Sequence, residues 1–393
     1  MRLVGGNRLT LLRNGEQYFP ALARAIDAAK REVFLETYIF ADDATGSLVA
    51  AALSRAAGRG VAVQLLIDGF GARDFAPRLR QPLERAGVHL QVYRPKISPW
   101  TLRRNRLRRM HRKLACIDGA VAFVGGINVI DDFDTPHQTP PRYDYAVQIE
   151  GPLVDQVRAE AAQLWARVGW GSFGRRWPGL DRLLRRATRA APPNCAPCAE
   201  DQKAALLVRD NVRHRRDIER AYLEWLAEAR EEVIIANSYF FPGRRFRDAL
   251  TRAAARGVRI TLLLQGRVEY GLLHYASRSL YGELLAAGIS IQEYQRSFLH
   301  AKVAVFDDHR ASVGSTNIDP FSLLLAREAN VFVEDATFAG ALRKSLRDAM
   351  ARGAEPVPPR AWQRQPWFSR VRIWLAFQVA RLFIAVAGID RYH

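Results

Sequence analysis

Two kinds of hydrophobic run alternate along the chain. Val61–Ile67 and Val258–Leu264 are short, β-branched and almost unbroken, as strands buried on both faces require. Residues 46–58 and 244–256, just before them, are rich in Ala, Leu and Arg at helical spacing. Residues 153–168 and 337–352 predict two more helices. Strand–helix alternation of this kind predicts an α/β protein with helices covering the sheets.

The pattern also repeats. REVFLETYIF (31–40), RGVAVQLLIDG (59–69), LERAGVHLQVY (83–93), MHRKLACID (110–118) and FVGGIN (123–128) return as EEVIIANSYFF (231–241), RGVRITLLLQG (256–266), LLAAGISIQEY (284–294), LHAKVAVFD (299–307) and SVGSTN (312–317). Conserved order at offsets of 189 to 201 residues marks a duplication. The division expected is a first half over 1–170, a linker over 171–204, a second half over 205–352 and a tail over 353–393. Two similar halves, each a mixed sheet flanked by helices, are then expected to be related by pseudo-twofold symmetry. The first half carries an extra basic piece, RPKISPWTLRRNRLRRM (94–110), and residues 101–113 hold seven basic side chains and no acid.

Charge narrows the partners. The formal net charge is +19 and the pI about 10.5, a surface that seeks polyanions. Three Cys cannot build a disulfide framework, and the C-x-x-C at Cys195 and Cys198 sits alone in a Pro-rich linker. The N-terminus has no long apolar stretch of a secretory signal, and no run of 18 apolar residues predicts a spanning helix. WFSRVRIWLAFQVARLFIAVAGI (367–389) places Arg370, Gln378 and Arg381 on roughly one face. Trp367, Phe368, Trp374, Phe377 and Phe383 supply interfacial aromatics, as an in-plane amphipathic helix would use them.

The chemistry lies in a motif that each half contains once. His-x-Lys-x-x-x-x-Asp occurs as His111, Lys113, Asp118 and as His300, Lys302, Asp307. Six residues then lead to Gly125-Gly126-x-Asn128 and to Gly314-Ser315-x-Asn317. With eight His, six Lys and 22 Asp in 393 residues, roughly 0.007 matches are expected by chance. Only six of the 59 basic residues are Lys, yet Lys fills both motif positions, where a compact ammonium suits a tight phosphoryl site. His and Lys two apart on a strand face the same side. Two such strands about a twofold axis would bring two imidazoles and two ammoniums around one phosphorus. The glycines would let backbone approach a ligand, and Asn128, Asn317 and Ser315 would contact phosphoryl oxygens. Glu36 and Tyr38, set against Asn237 and Tyr239, are further pocket candidates. His89, His137, His214, His274, His309 and His393 show no paired spacing and read as surface or structural.

The duplicated motif resembles the phospholipase D superfamily over nearly the whole chain. NGEQYFPALARAI, DYAVQIEGP, ANSYFFPG, DDHRASVGSTNIDPFS and EANVFVED are similar to the shorter, B-type bacterial cardiolipin synthases. That resemblance implies an enzyme that moves a phosphatidyl group from one phosphatidylglycerol to another through a phosphohistidine, releasing glycerol. His111 would be the nucleophile and His300 the general acid/base, with no metal and no cofactor. It implies carboxylates that hydrogen-bond the active-site His; Asp144 and Glu328 hold matching places, 33 and 28 residues after the motif His of their own halves. Asp118 and Asp307 belong to the catalytic motif and are expected to buttress the fold. The partners expected are anionic phospholipid and a membrane surface, at the cytoplasmic face of the bacterial inner membrane, without nucleic acid. Water as acceptor, or phosphatidylethanolamine as donor, would keep the chemistry and change the product. A nuclease would not need the tail.

Overall fold

The computed structural model describes residues 1–73, 75, 77–95, 108–135, 139–172, 198–210, 214–268, 271–319, 326–363 and 367–386. The first half runs β1 (Val4–Arg13), α1 (Asn14–Asp27), β2 (Glu32–Thr37), α2 (Ala44–Gly58), β3 (Ala62–Asp68), α3 (Pro77–Arg85), β4 (His89–Tyr93), β5 (Arg109–Met110), β6 (Lys113–Ile117), β7 (Val121–Gly125), β8 (Tyr145–Glu150) and α4 (Leu153–Ser172). The second runs β9 (Gln202–Arg209), α5 (Asp217–Glu228), β10 (Glu232–Asn237), α6 (Arg244–Ala255), β11 (Arg259–Gln265), α7 (Gly271–Arg278), α8 (Tyr281–Ala286), β12 (Ser290–Tyr294), β13 (Lys302–Phe306), β14 (Arg310–Gly314), β15 (Ala326–Glu334), α9 (Ala336–Gly353) and β16 (Ala354–Pro356). Helices α10 (Pro359–Gln363) and α11 (Trp367–Val386) follow.

The strands join in one mixed sheet, in the order β16-β12-β11-β10-β13-β14-β15-β9-β1-β8-β7-β6-β2-β3-β4, with β5 paired to β15 off that path. From β1 outward the first half reads 1-8-7-6-2-3-4, and from β9 outward the second reads 9-15-14-13-10-11-12. The orders correspond strand for strand. The halves meet where β1 and β9 run antiparallel, the pairing a twofold axis normal to the sheet demands. In each half the central strands pair in parallel (β2 with β3, β10 with β11), and the motif strand lies antiparallel beside them.

One core serves both halves. Leu153, Val154, Val157 and Ala161 of α4, and Phe338, Leu342, Leu346 and Ala349 of α9, pack with Val124, Val147, Val303 and Val331 in a single buried cluster. The closing helices reach across the boundary: α4 contacts β9, and α9 contacts β1. Tyr143 and Tyr145 of the first half bond the Ser345 hydroxyl of α9 at 3.0 and 2.8 Å.

Three expectations change. Strand β9 begins at Gln202, inside the expected linker, because it pairs with β1 and β15. Residues 354–356 are not tail but an edge strand on β12. The register pairs Val33 with Ile117 and Val233 with Phe306, so Glu36 corresponds to Ala236, and Tyr38 to Ser238 rather than Tyr239. The Cys195 half of the C-x-x-C, most of the linker and residues 101–107 lie outside the described residues. Among those described, no helix is long and apolar enough to cross a membrane.

Asp118 and Asp307 stand at the tips of the β6–β7 and β13–β14 hairpins in left-handed backbone, at φ 55° and 52°. Asp tolerates that conformation better than most residues. The Asp118 carboxylate accepts from the amides of Lys30, Arg31 and Glu32 at 2.8, 2.8 and 2.9 Å. Asp307 does the same for Arg230, Glu231 and Glu232 at 3.1, 2.8 and 3.1 Å. Each thus braces the entry to a central strand. Asp118→Ala or Asp307→Ala should lower stability by about 1–3 kcal/mol, through lost hydrogen bonds and backbone strain. Thermal unfolding measures this, and specific activity per folded molecule should stay within about threefold of wild type.

Candidate active site

The start of each motif strand is pinned by the opposite half. The His111 amide donates to the Arg327 carbonyl at 2.9 Å, and β5 lies parallel to the first residues of β15. The His300 amide donates to the Tyr143 carbonyl at 2.8 Å, beside a parallel bridge between Tyr143 and Leu299. Arg327 and Tyr143 each immediately precede a carboxylate, Glu328 and Asp144. Each imidazole thus meets the acid of the other half: His111 Nδ1 lies 3.0 Å from Glu328, and His300 Nδ1 lies 2.6 Å from Asp144. Matching positions in sequence do not reveal this exchange, because it arises from how the halves pack.

A second brace sits behind each His. Asp68, at the end of β3, accepts from the Met110 amide at 2.8 Å. Its counterpart Gln265, at the end of β11, accepts from the Leu299 amide at 2.8 Å. These residues carry no motif signature and were not singled out in the sequence. Their signal is positional, a polar side chain closing an apolar strand.

Lys113 and Lys302 are buried beside the imidazoles. Lys113 Nζ donates to the His111 carbonyl at 2.6 Å and lies 5.4 Å from the Tyr38 ring, which also meets the His111 ring edge-on. Lys302 Nζ donates to the His300 carbonyl and to Ser238 Oγ, the latter at 3.1 Å. Tyr38 therefore belongs to the pocket. Glu36 does not: in register it faces Leu114, on the side of the sheet away from Lys113, and forms a buried ion pair with Arg112, which also bonds the Glu160 carbonyl of α4 at 3.0 Å.

The glycine–asparagine extension works differently from the expectation. A side chain at Gly126 would collide with the Asp144 carboxylate. The equivalent Ser315 bonds Glu328 through its hydroxyl and accepts from the Ala329 amide at 3.1 Å. Gly126 and Ser315 therefore seat the acids, and Ser315 is corrected from a phosphate contact to a support for Glu328. Asn128 Oδ1 accepts from the Ile39 amide at 3.1 Å, and its Nδ2 hydrogens remain the donors. Asn317 is buried in the corresponding place.

Burial dominates the electrostatics. It lowers the pKa of His111, against the pull of Glu328 and with help from Lys113 and Lys302. Burial, then Lys302, Arg142, Lys113 and His111, hold His300 well below the ordinary value. Burial pushes the Lys113 ammonium down to about 7 and the Asp144 carboxyl up to about 7. The resting imidazoles are neutral, with Nδ1–H directed at a carboxylate and Nε2 left for chemistry. Two ammoniums and two oriented imidazoles make a seat for one phosphodiester anion. Among the described residues, no three His, Cys, Asp or Glu gather to hold a metal ion.

The chain is similar to known proteins in sequence and in fold. The family model for the cardiolipin synthase, PLD-like domain matches residues 22–165 and 222–350. Cardiolipin synthase B of Escherichia coli K12 is 41% identical over 384 residues, 98% of this chain and 90% of that protein. Cardiolipin synthase 1 of Bacillus cereus is 30% identical over 328 residues, 81% of this chain and 61% of that protein. The crystal structure of phosphatidylserine synthase from Haemophilus influenzae superposes with a TM-score of 0.69 at 12% identity, covering 97% of this chain and 94% of that one, a likeness of fold.

A pH profile tests the electrostatics. The kcat/KM for phosphodiester turnover should form a bell centred near pH 7. It falls below pH 7 as Asp144 gains a proton and above it as Lys113 loses one. Asp144→Asn and Glu328→Gln should each cost roughly 10²–10⁴-fold in kcat, as loss of a His-orienting acid does elsewhere.

Proposed function

The chain is a member of the cardiolipin synthase family of phospholipase D-like proteins, and we propose that it transfers a phosphatidyl group between two phosphatidylglycerol molecules, giving cardiolipin and glycerol. One observation carries this reading: two His–Lys pairs share one site, and each imidazole is aligned by the other half's carboxylate.

The chemistry follows from that alignment. His111 Nε2 attacks phosphorus and displaces the glycerol oxygen, which takes a proton from His300. Both imidazoles are neutral at rest, so His300 must gain its proton as substrate arrives. The anionic diester supplies negative charge that favours the imidazolium, which burial and the lysines oppose. The phosphatidyl group then sits on His111. A hydroxyl of the second phosphatidylglycerol gives its proton to His300 and attacks phosphorus, and His111 leaves. One phosphodiester is broken as another is made, so no external energy is needed. Lys113, Lys302 and the amide of Asn128 stabilise charge on the non-bridging oxygens, and Asn317 is assigned the same role by symmetry.

The protein works at a bilayer surface. Helix α11 packs on α7, where Arg372 donates to the Tyr275 hydroxyl at 2.6 Å; Ala376 is buried, and the Phe377 ring meets Phe241 at 5.9 Å. Phe377 thus packs against the protein's own core, as Trp362 does, whereas Trp367 and Trp374 do not. Trp367, Val371, Trp374 and Leu375 are exposed, at 76, 49, 60 and 54%, alongside Leu272 and Val268. Arg372 and Arg381 border them. Apolar anchors edged with Arg suit an anionic bilayer, entered in-plane, and the cytoplasmic face of the bacterial inner membrane provides one. The halves, linker and tail retain the division given above, with the second half extended to β9 and β16.

Purified protein with phosphatidylglycerol vesicles should yield cardiolipin and free glycerol by lipid mass analysis. Phosphatidic acid as the sole product would make the protein a hydrolase and overturn the transferase reading. His111→Ala and His300→Ala should each abolish turnover, and substantial activity in either would contradict a shared site. Trp367→Ser with Trp374→Ser should weaken sedimentation with anionic vesicles by about tenfold or more. Turnover of detergent-dispersed substrate should persist.

A further inference from the structure

The two halves share their catalytic residues but not the wall beside them. In the first half, Tyr38 lies against Lys113 and His111, and Gly71 packs directly on Tyr38, so aromatic surface fills this space. In the second half the counterpart of Tyr38 is Ser238, and a cavity opens there. Its walls are largely apolar, from Phe240, Leu264 and Tyr281, and Ser238, His274 and Ser277 are among the polar groups set into them. Ser238 is also the residue that bonds the Lys302 ammonium, so the cavity adjoins the reacting centre. Its volume of about 20 Å³ takes one water-sized group. That excludes a second phosphate or an acyl chain and suits a single hydroxyl.

The lining can both donate to a hydroxyl and accept from one. Arg278 lies 3.4 Å from His274 Nε2, and Arg can only donate, so Nε2 accepts and Nδ1 carries the hydrogen. Burial and the nearby Arg278 push His274 down to about 4, so it is neutral under working conditions. Ser238 donates to the Ala301 carbonyl at 3.4 Å and accepts from Lys302, so its second lone pair is what it offers a ligand, while His274 Nδ1–H donates and the Ser277 and Tyr239 hydroxyls stand beside them.

The reaction defines which hydroxyl this is. The departing glycerol is bonded to phosphorus through one terminal oxygen. The acceptor attacks through the terminal hydroxyl of its own glyceryl group, whose other end carries a phosphatidyl group. The central hydroxyl is the one free group common to both. Lys302 joins the cavity to the reacting centre, since its ammonium bonds both Ser238 and the carbonyl of His300, the residue that handles the alcohol oxygen.

We propose that the cavity of Ser238, His274 and Ser277 is a hydroxyl subsite that binds the central hydroxyl of the glyceryl group, on the departing glycerol and then on the acceptor, and so selects glyceryl acceptors over other alcohols. This rests on the phosphatidyl transfer proposed above. The reacting alcohol oxygen stays with His300; the subsite fixes its neighbour.

The test is a competition between soluble acceptors. The full-length protein, phosphatidylglycerol vesicles, deuterated glycerol and 1,3-propanediol are combined, and the two phosphatidyl alcohols are quantified. 1,3-Propanediol has both terminal hydroxyls and lacks the central one. Wild type should favour glycerol by about tenfold or more, since a site that hydrogen-bonds a hydroxyl discriminates against its absence. Ser277→Ala and His274→Leu should bring the ratio towards one while phosphatidylpropanediol still forms. A ratio within one sample is unchanged when part of the protein misfolds. No preference in wild type, or an undiminished preference in both variants, overturns the subsite. A wild-type protein that makes neither cardiolipin nor any phosphatidyl alcohol overturns the transferase reading itself.

Discussion

Everything at the reacting centre depends on an exchange between the halves. The backbone before each carboxylate accepts the amide of the opposite half's His, and the carboxylate then takes the Nδ1 hydrogen of that same ring. Two hydrogen bonds from one short segment fix both where the strand starts and how the imidazole turns. The antiparallel β1–β9 pairing, the closing helices that cross the boundary and the shared core all hold the two segments in reach. A half alone would have an imidazole with no acid and an acid with no imidazole.

That arrangement sets folding against function. Two carboxylates, two ammoniums and two imidazoles are removed from water in one small volume, and burial opposes the charged forms of His111, Lys113, Asp144 and His300. The apolar strands behind them, with Val303, Val305 and Val313 essentially inaccessible, offset the cost. A phosphodiester relieves the repulsion between Lys113 and Lys302 as it enters, so binding energy is available where the reaction needs charge stabilised. A site already satisfied by its own side chains would have less to offer the transition state.

Much of this was legible in the sequence because it repeats. The duplicated runs mark corresponding strands, and the His–Lys spacing on β6 and β13 places both side chains on one face. Three features stayed hidden. The crossing of Asp144 to His300 and Glu328 to His111 depends on the packing of distant segments, and spacing within a half suggests the opposite pairing. The roles of Gly126 and Ser315 depend on the length of the acid each faces. Tyr38 and Ser238 are equivalent only in the hydrogen-bond register, since matching the sequence text slips this stretch by one residue. His274 looked ordinary because a pocket made by one half alone has no repeat to announce it.

The ion pair of Glu36 and Arg112 bears on how the two copies can evolve. Its counterparts in the second half are Ala236 and Ala301, so a buried acid and base face each other in one copy where two methyl groups do in the other. Replacing residues 300–306 with 111–117 would bury a guanidinium against Ala236 with no acid to meet it, a penalty of about 3–5 kcal/mol. Exchange between the two repeats would therefore destabilise the protein at this strand. The copies are free to diverge, and a twofold-symmetric ancestor can acquire different surroundings for its two ends.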